Sequence, residues 1–190
     1  MSGGQRLVIA DPEAMERFGA RVAAELLAGD VVLLTGELGA GKTTFTRGLG
    51  AALGARGTVT SPTFVLARTH PRESGVPLVH VDAYRLSDAA ELDDLDIDFA
   101  GSIVVVEWGA GLVEHLVDEW LSITIERPTG GAASGPDNPS DADEHAAVDA
   151  DTDDAAEADP DDAPVEPRAV TVEGTGARWA DLGWIHAARD

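Results

Sequence analysis

One stretch of this 190-residue chain gathers residue types that can hold a phosphate. Gly36-Glu37-Leu38-Gly39-Ala40-Gly41-Lys42-Thr43, followed by Thr44, fits the spacing G-x-x-x-x-G-K-[ST]. Its glycines open backbone angles closed to other residues. Successive N–H groups can then point inward at a polyphosphate. In such a loop the lysine reaches the β- and γ-phosphates, and the hydroxyl of Thr43 ligates Mg²⁺. Lys42 is the only lysine in the chain; the other twelve basic residues are arginine. A chain that uses arginine everywhere else needs lysine here for a physical reason. A compact, flexible charge fits where the planar guanidinium fork does not.

Two carboxylates close apolar runs: Asp82 ends Leu-Val-His-Val-Asp, and Glu107 ends Ile-Val-Val-Val-Glu, just before Trp108. Strand ends are where α/β sheets place ligand-binding groups. A carboxylate there, beside a P-loop, suits Mg²⁺ and a hydrolytic water. Which of the two touches the metal, and which acts through water, the residues alone leave open. Thr58-Val-Thr-Ser-Pro-Thr63-Phe64 offers hydroxyls around a proline. It reads either as a switch loop sensing the γ-phosphate or as an ordinary polar turn. Arg85 reads either as a stabiliser of transition-state charge or as an ion-pair partner. The five histidines form no H-E-x-x-H pair and read as ordinary surface or core residues. Only Asn138 could open an N-K-x-D guanine-reading motif, and no second lysine follows it, so adenine nucleotides are expected.

The elements that must position these groups follow from hydrophobic period. A strand is expected at Leu7–Ile9. Asp11-Pro12 then caps a helix with Met15, Phe18, Val22 and Leu26 on one face. Val31–Thr35 and Ile103–Glu107 are continuous apolar runs, as in strands buried on both faces. A helix should run from Lys42 to about Leu53, strands over 64–69 and 78–84, and a short acidic helix over 87–95. Helices are also expected over 112–120 and 178–188. Leu121–Glu126 and Ala169–Glu173 alternate and read as a hairpin. Strands alternating with helices give an α/β class: a mostly parallel, P-loop-type sheet flanked by helices.

Charge organises the rest. The formal charge is −22, of which −12 falls in residues 128–168, leaving −10 for the remainder. That stretch has no Phe, Tyr or Trp, and Val148 and Val165 are its only large aliphatic residues. It cannot bury enough apolar surface to order itself, so a disordered acidic insert within one domain is expected. The acidic balance disfavours direct binding of nucleic acid. The absence of cysteine excludes thiolate chemistry and cysteine-held zinc. No apolar run is long enough to span a membrane, and the first residues lack a signal-peptide core, so a cytoplasmic location is expected.

Taken together, GELGAGKTTFTRGLG (36–50), SPTF (61–64), HVDAYRL (80–86), ELDDLDIDF (91–99) and VVVEWG (104–109) resemble the TsaE family of bacterial P-loop ATPases. The resemblance implies an ATP-hydrolysing subunit in the formation of threonylcarbamoyl-adenosine at position 37 of tRNAs reading ANN codons. It implies TsaD and TsaB as protein partners, ATP and Mg²⁺ at the site, and contact with tRNA only through the complex. It implies metal contacts from Thr43 and Glu107, and nucleotide contacts from Asp82, Thr63, Trp108 and, more weakly matched, Arg168. Lys42, Asp82 and Glu107 would then carry the hydrolysis. A stand-alone P-loop small-molecule kinase is the competing reading.

Overall fold

The computed structural model describes residues 4–73, 75–127 and 166–186. The acidic stretch 128–168 lies outside the described residues except for Glu166, Pro167 and Arg168.

Apolar runs set the sheet. Seven strands, β1 (Gln5–Ile9), β2 (Val31–Thr35), β3 (Ala67–His70), β4 (Leu78–Asp82), β5 (Ile103–Glu107), β6 (Trp120–Glu126) and β7 (Arg168–Thr175), lie in the order β1-β7-β6-β2-β5-β4-β3. The four central strands, β6, β2, β5 and β4, are parallel, and the outer strands β7, β1 and β3 pair antiparallel. Side chains alternate across the sheet. Val32, Leu34 and Val105 face one core, shared with α1 (Pro12–Ala23) and α2 (Lys42–Ala52). Val31, Leu33, Val104 and Val106 face a second core, which includes Leu92 of α3 (Ala89–Asp93). Covering both faces is what permits strands without polar alternation.

Caps fix the helix starts. Asp11 accepts a hydrogen bond from Ala14 N at 2.6 Å, with Pro12 at the first helical position; Asp88 does the same for Glu91 N at the start of α3. α1 and α2 pack closely, with the Phe18 and Phe45 rings 5.5 Å apart. Parallel β2, leading into α2 through the glycine turn, puts that turn at the C-terminal edge of the sheet. Asp82 and Glu107 end neighbouring strands in register there.

Three expected elements differ. Residues 62–66 form a turn in which Val65 N and Leu66 N both donate to Pro62 O, so β3 starts at Ala67 and not at Phe64. The expected helix over 112–120 is a single 3₁₀ turn, Val113–His115. Trp120 must be extended to pair with Thr175, which leaves too little chain for a helix. The expected helix over 178–188 is replaced by two 3₁₀ turns, Ala177–Trp179 and Gly183–His186. Asp181 Oδ1 accepts from Gly183 N, a local bond that competes with helix; residues 187–190 lie outside the described residues. α1 ends at Ala23, and Gly29 turns the chain at φ +90° just before β2. Among the described residues no helix is long and apolar enough to cross a membrane.

Candidate active site

The turn between β2 and α2 works only with its glycines. Gly41, the N-cap of α2, has φ +112°, where a side chain is strained. A Cβ on Gly36 would lie 2.5 Å from Ile125 O of β6, so the loop passes directly over the neighbouring strand. The start of α2 presents unpaired N–H groups, and its dipole favours an anion there.

A cleft of about 340 Å³ opens at this point. Its lining includes Leu38, Gly39, Gly41, Lys42, Thr43, Thr44, Ser61, Thr63, Asp82, Glu107 and Trp108. Most of the residues singled out from sequence therefore meet in one place. Gly36, Glu37 and Ala40 shape the loop without lining the cleft. Gly36 O and Glu37 O accept hydrogen bonds from Lys42 Nζ at 2.8 and 3.1 Å, and Ala40 is buried. The ammonium lies 4.1 Å from the centre of the Trp108 ring. Burial pulls the Lys42 pKa below its ordinary value, while the Glu107 and Asp82 carboxylates act in the opposite direction.

Each carboxylate has its own partners. Asp82 Oδ2 accepts from Thr63 Oγ1 at 2.6 Å and Ser61 Oγ at 3.4 Å, and Oδ1 accepts from Tyr84 N at 3.1 Å. One strand-end residue thus ties the 61–63 segment to the cleft. Arg85 is held on the same segment by its bond to Thr63 O. Glu107 Oε1 meets Thr43 Oγ1 at 3.5 Å and His80 Nε2 at 2.8 Å. Next to it, Trp108 takes φ +62°, unusual for a residue with a side chain, and its N–H bonds to Leu34 O. That backbone turn lets its ring cover Lys42 and meet Tyr84 edge-on at 5.5 Å.

Arg168 is the exception. It opens β7, pairs with Ile9 of β1, and donates to Glu166 O and Pro167 O, without lining the cleft. The guanidinium that reaches the P-loop belongs to Arg127, whose NH2 donates to Gly39 O at 3.2 Å. Sequence reasoning missed Arg127; its signal was a position just past the end of a hairpin strand that borders the loop. It also missed His80. The two-residue spacing to Asp82 was the available signal, because it puts both on one face of β4.

The chain is similar to several known proteins. The family model for threonylcarbamoyl adenosine biosynthesis protein TsaE matches residues 9–133. A tRNA threonylcarbamoyladenosine biosynthesis protein TsaE from Streptomyces coelicolor is 49% identical over 170 residues, covering 87% of this chain and 94% of that protein. The protein of the same name from Bacillus subtilis is 41% identical over 118 residues, covering 62% and 74%. A crystal structure of Bacillus subtilis YdiB superposes with a TM-score of 0.62 at 28% identity, covering 94% of this chain and 90% of that one. The chain belongs to the TsaE family of threonylcarbamoyl adenosine biosynthesis proteins.

Proposed function

We propose that this chain is a Mg²⁺-dependent ATPase, slow alone and stimulated by a TsaD–TsaB complex. In this reading it supports formation of the threonylcarbamoyl group on adenosine 37 of tRNAs reading ANN codons. The observation that carries the reading is the meeting of Lys42, Thr43 and Glu107 at the start of α2, in a chain of the TsaE family.

The donor chemistry fits both ligands. Hydroxyl and carboxylate oxygens suit a hard cation, and Mg²⁺ is commonly held by one or two protein oxygens plus substrate phosphates. Among the described residues no cluster of three or more His, Asp or Glu side chains could hold a metal unaided, so phosphate would complete the shell. Thr43 and Glu107 would hold the ion, which neutralises charge on the phosphates when bound. Lys42, which donates to Gly36 O and Glu37 O and lies over the Trp108 ring, would donate to phosphate oxygens. Backbone N–H groups of residues 39–44 orient the phosphates. Asp82 keeps Thr63 and Ser61 at the cleft wall, where their hydroxyls can face a terminal phosphate. The acidic surface agrees with a subunit that reaches tRNA through its partners, TsaD and TsaB.

Two experiments test this. Depletion in the source organism should lower the modified nucleoside in its tRNA; normal levels would overturn the pathway assignment. Incubation with labelled ATP and a metabolite pool should release free phosphate. Label appearing on a metabolite would favour the kinase reading instead.

A further inference from the structure

We infer that His80 is a positioning residue for Glu107, and through it for the divalent cation of the reaction proposed above, on which this inference rests. His80 sits in the middle of β4 and is fully buried. Leu78, His80 and Asp82 share one face of that strand, and Ile103, Val105 and Glu107 share the matching face of β5. Leu78, Ile103 and Val105 belong to the apolar core on that face. An imidazole is out of place in such a row unless it has a polar task.

Its bonds define that task. Nε2 lies 2.8 Å from Glu107 Oε1, while Nδ1 is buried with no hydrogen-bond partner among the described residues. A carboxylate oxygen accepts, so Nε2 is the donor of this bond. Burying a ring nitrogen unpaired is unfavourable. Packing alone would be served better by an aliphatic side chain, so the bond to Glu107 is what His80 supplies.

The consequence lies at the cleft. Oε1 is occupied by His80 and lies 3.5 Å from Thr43 Oγ1. Oε2 makes no hydrogen bond among the described residues, and Glu107 lines the cleft. The imidazole therefore holds one carboxylate oxygen in place and leaves the other for a ligand. Partners of this kind typically change metal affinity by roughly 10–100-fold when lost.

The test compares the full-length chain with His80→Leu and His80→Gln. Leu keeps bulk and removes the donor; the Gln amide restores an N–H toward Glu107. ATP binding is measured in EDTA, and Mn²⁺ binding to the ATP-loaded protein by electron paramagnetic resonance. His80→Leu should keep metal-free ATP affinity within about twofold and weaken Mn²⁺ binding by about tenfold or more. His80→Gln should recover most of that loss. Unchanged Mn²⁺ affinity in His80→Leu would overturn the inference, as would an equal loss of both affinities, the mark of a merely structural role. Should His80→Leu not fold, His80→Asn, whose shorter amide falls short of Glu107, replaces it under the same criteria. A wild-type chain that binds no ATP sinks the ATPase reading and this inference together. Normal ATP binding with variants indifferent to the metal sinks this inference alone.

Discussion

Gly48→Ala sets two effects against each other. Helix propensity alone says that Ala in α2 should stabilise by about 1 kcal/mol. The packing says otherwise. A Cβ on Gly48 would meet Glu16 O most closely and lie 2.5 Å from Glu16 Cα and 2.6 Å from Glu16 C, all backbone atoms of α1. Relief to an ordinary 3.4 Å contact requires α1 and α2 to part by about 1 Å or more. A gap of that size forfeits roughly a quarter to a half of the dispersion between facing atoms. The facing atoms are Met15, Phe18 and Val22 against Phe45 and Leu49, all essentially buried. Overpacking typically costs about 1–3 kcal/mol and occasionally more; against rigid backbone on both helices we place it at about 3–5 kcal/mol. Against the propensity gain, the net expectation is a loss of about 2–4 kcal/mol. For a domain of this size that lowers the melting temperature by roughly 5–15 °C. Thermal unfolding by circular dichroism reads it directly. Nucleotide binding should weaken as well, since α2 carries the P-loop and Met15 Cε lies within 3.6 Å of where a Gly41 Cβ would be. A Gly48→Ala chain as stable as wild type, or more stable, would refute the helix-contact reasoning.

Two further outcomes are expected. Lys42→Ala should lose about 3 kcal/mol of ATP binding, roughly 100-fold. Its melting temperature without nucleotide should stay within about 3 °C of wild type, because the lost bonds to Gly36 O and Glu37 O are offset by release of a desolvated charge; calorimetry and thermal unfolding check both halves. Burial holds the His70 imidazole below its ordinary 6.5; the Arg56 carbonyl opposes this, and His80 and Arg68 add to it. The unfolded chain then takes up the proton first, so stability is full above pH 6.5 and is lost as pH falls from 6.5 through the lower folded value. Urea unfolding at pH 7.5 and 5.5 should show a smaller acid loss in His70→Gln than in wild type; equal losses would contradict it.

Much of the site was legible because its chemistry is local. The P-loop needs its residue types within one turn, and its flanking strand is an uninterrupted apolar run. Asp82 and Glu107 could be placed because each ends such a run. What escaped depended on neighbours distant in sequence. The spacing to Asp82 puts His80 on the same face of β4, but its partner Glu107 comes from another strand, and a histidine in an apolar strand also reads as core. Arg127 reaches Gly39 only because β6 lies against β2. The 112–120 segment carries helix-compatible residues, yet pairing of Trp120 with Thr175 overrides them. Phe64 and Val65 read as strand by composition, but two backbone bonds to Pro62 O turn the chain and leave both exposed.

The proposed role of Glu107, beside Thr43 and Lys42, is to serve a hydrolytic ATP site that responds to partner proteins. The most direct measurement is phosphate release from MgATP by wild type and Glu107→Ala, each with and without the TsaD–TsaB pair. Wild type should release phosphate slowly alone and faster with the pair, and Glu107→Ala should lose both. Release that is unaffected by Glu107→Ala would contradict it.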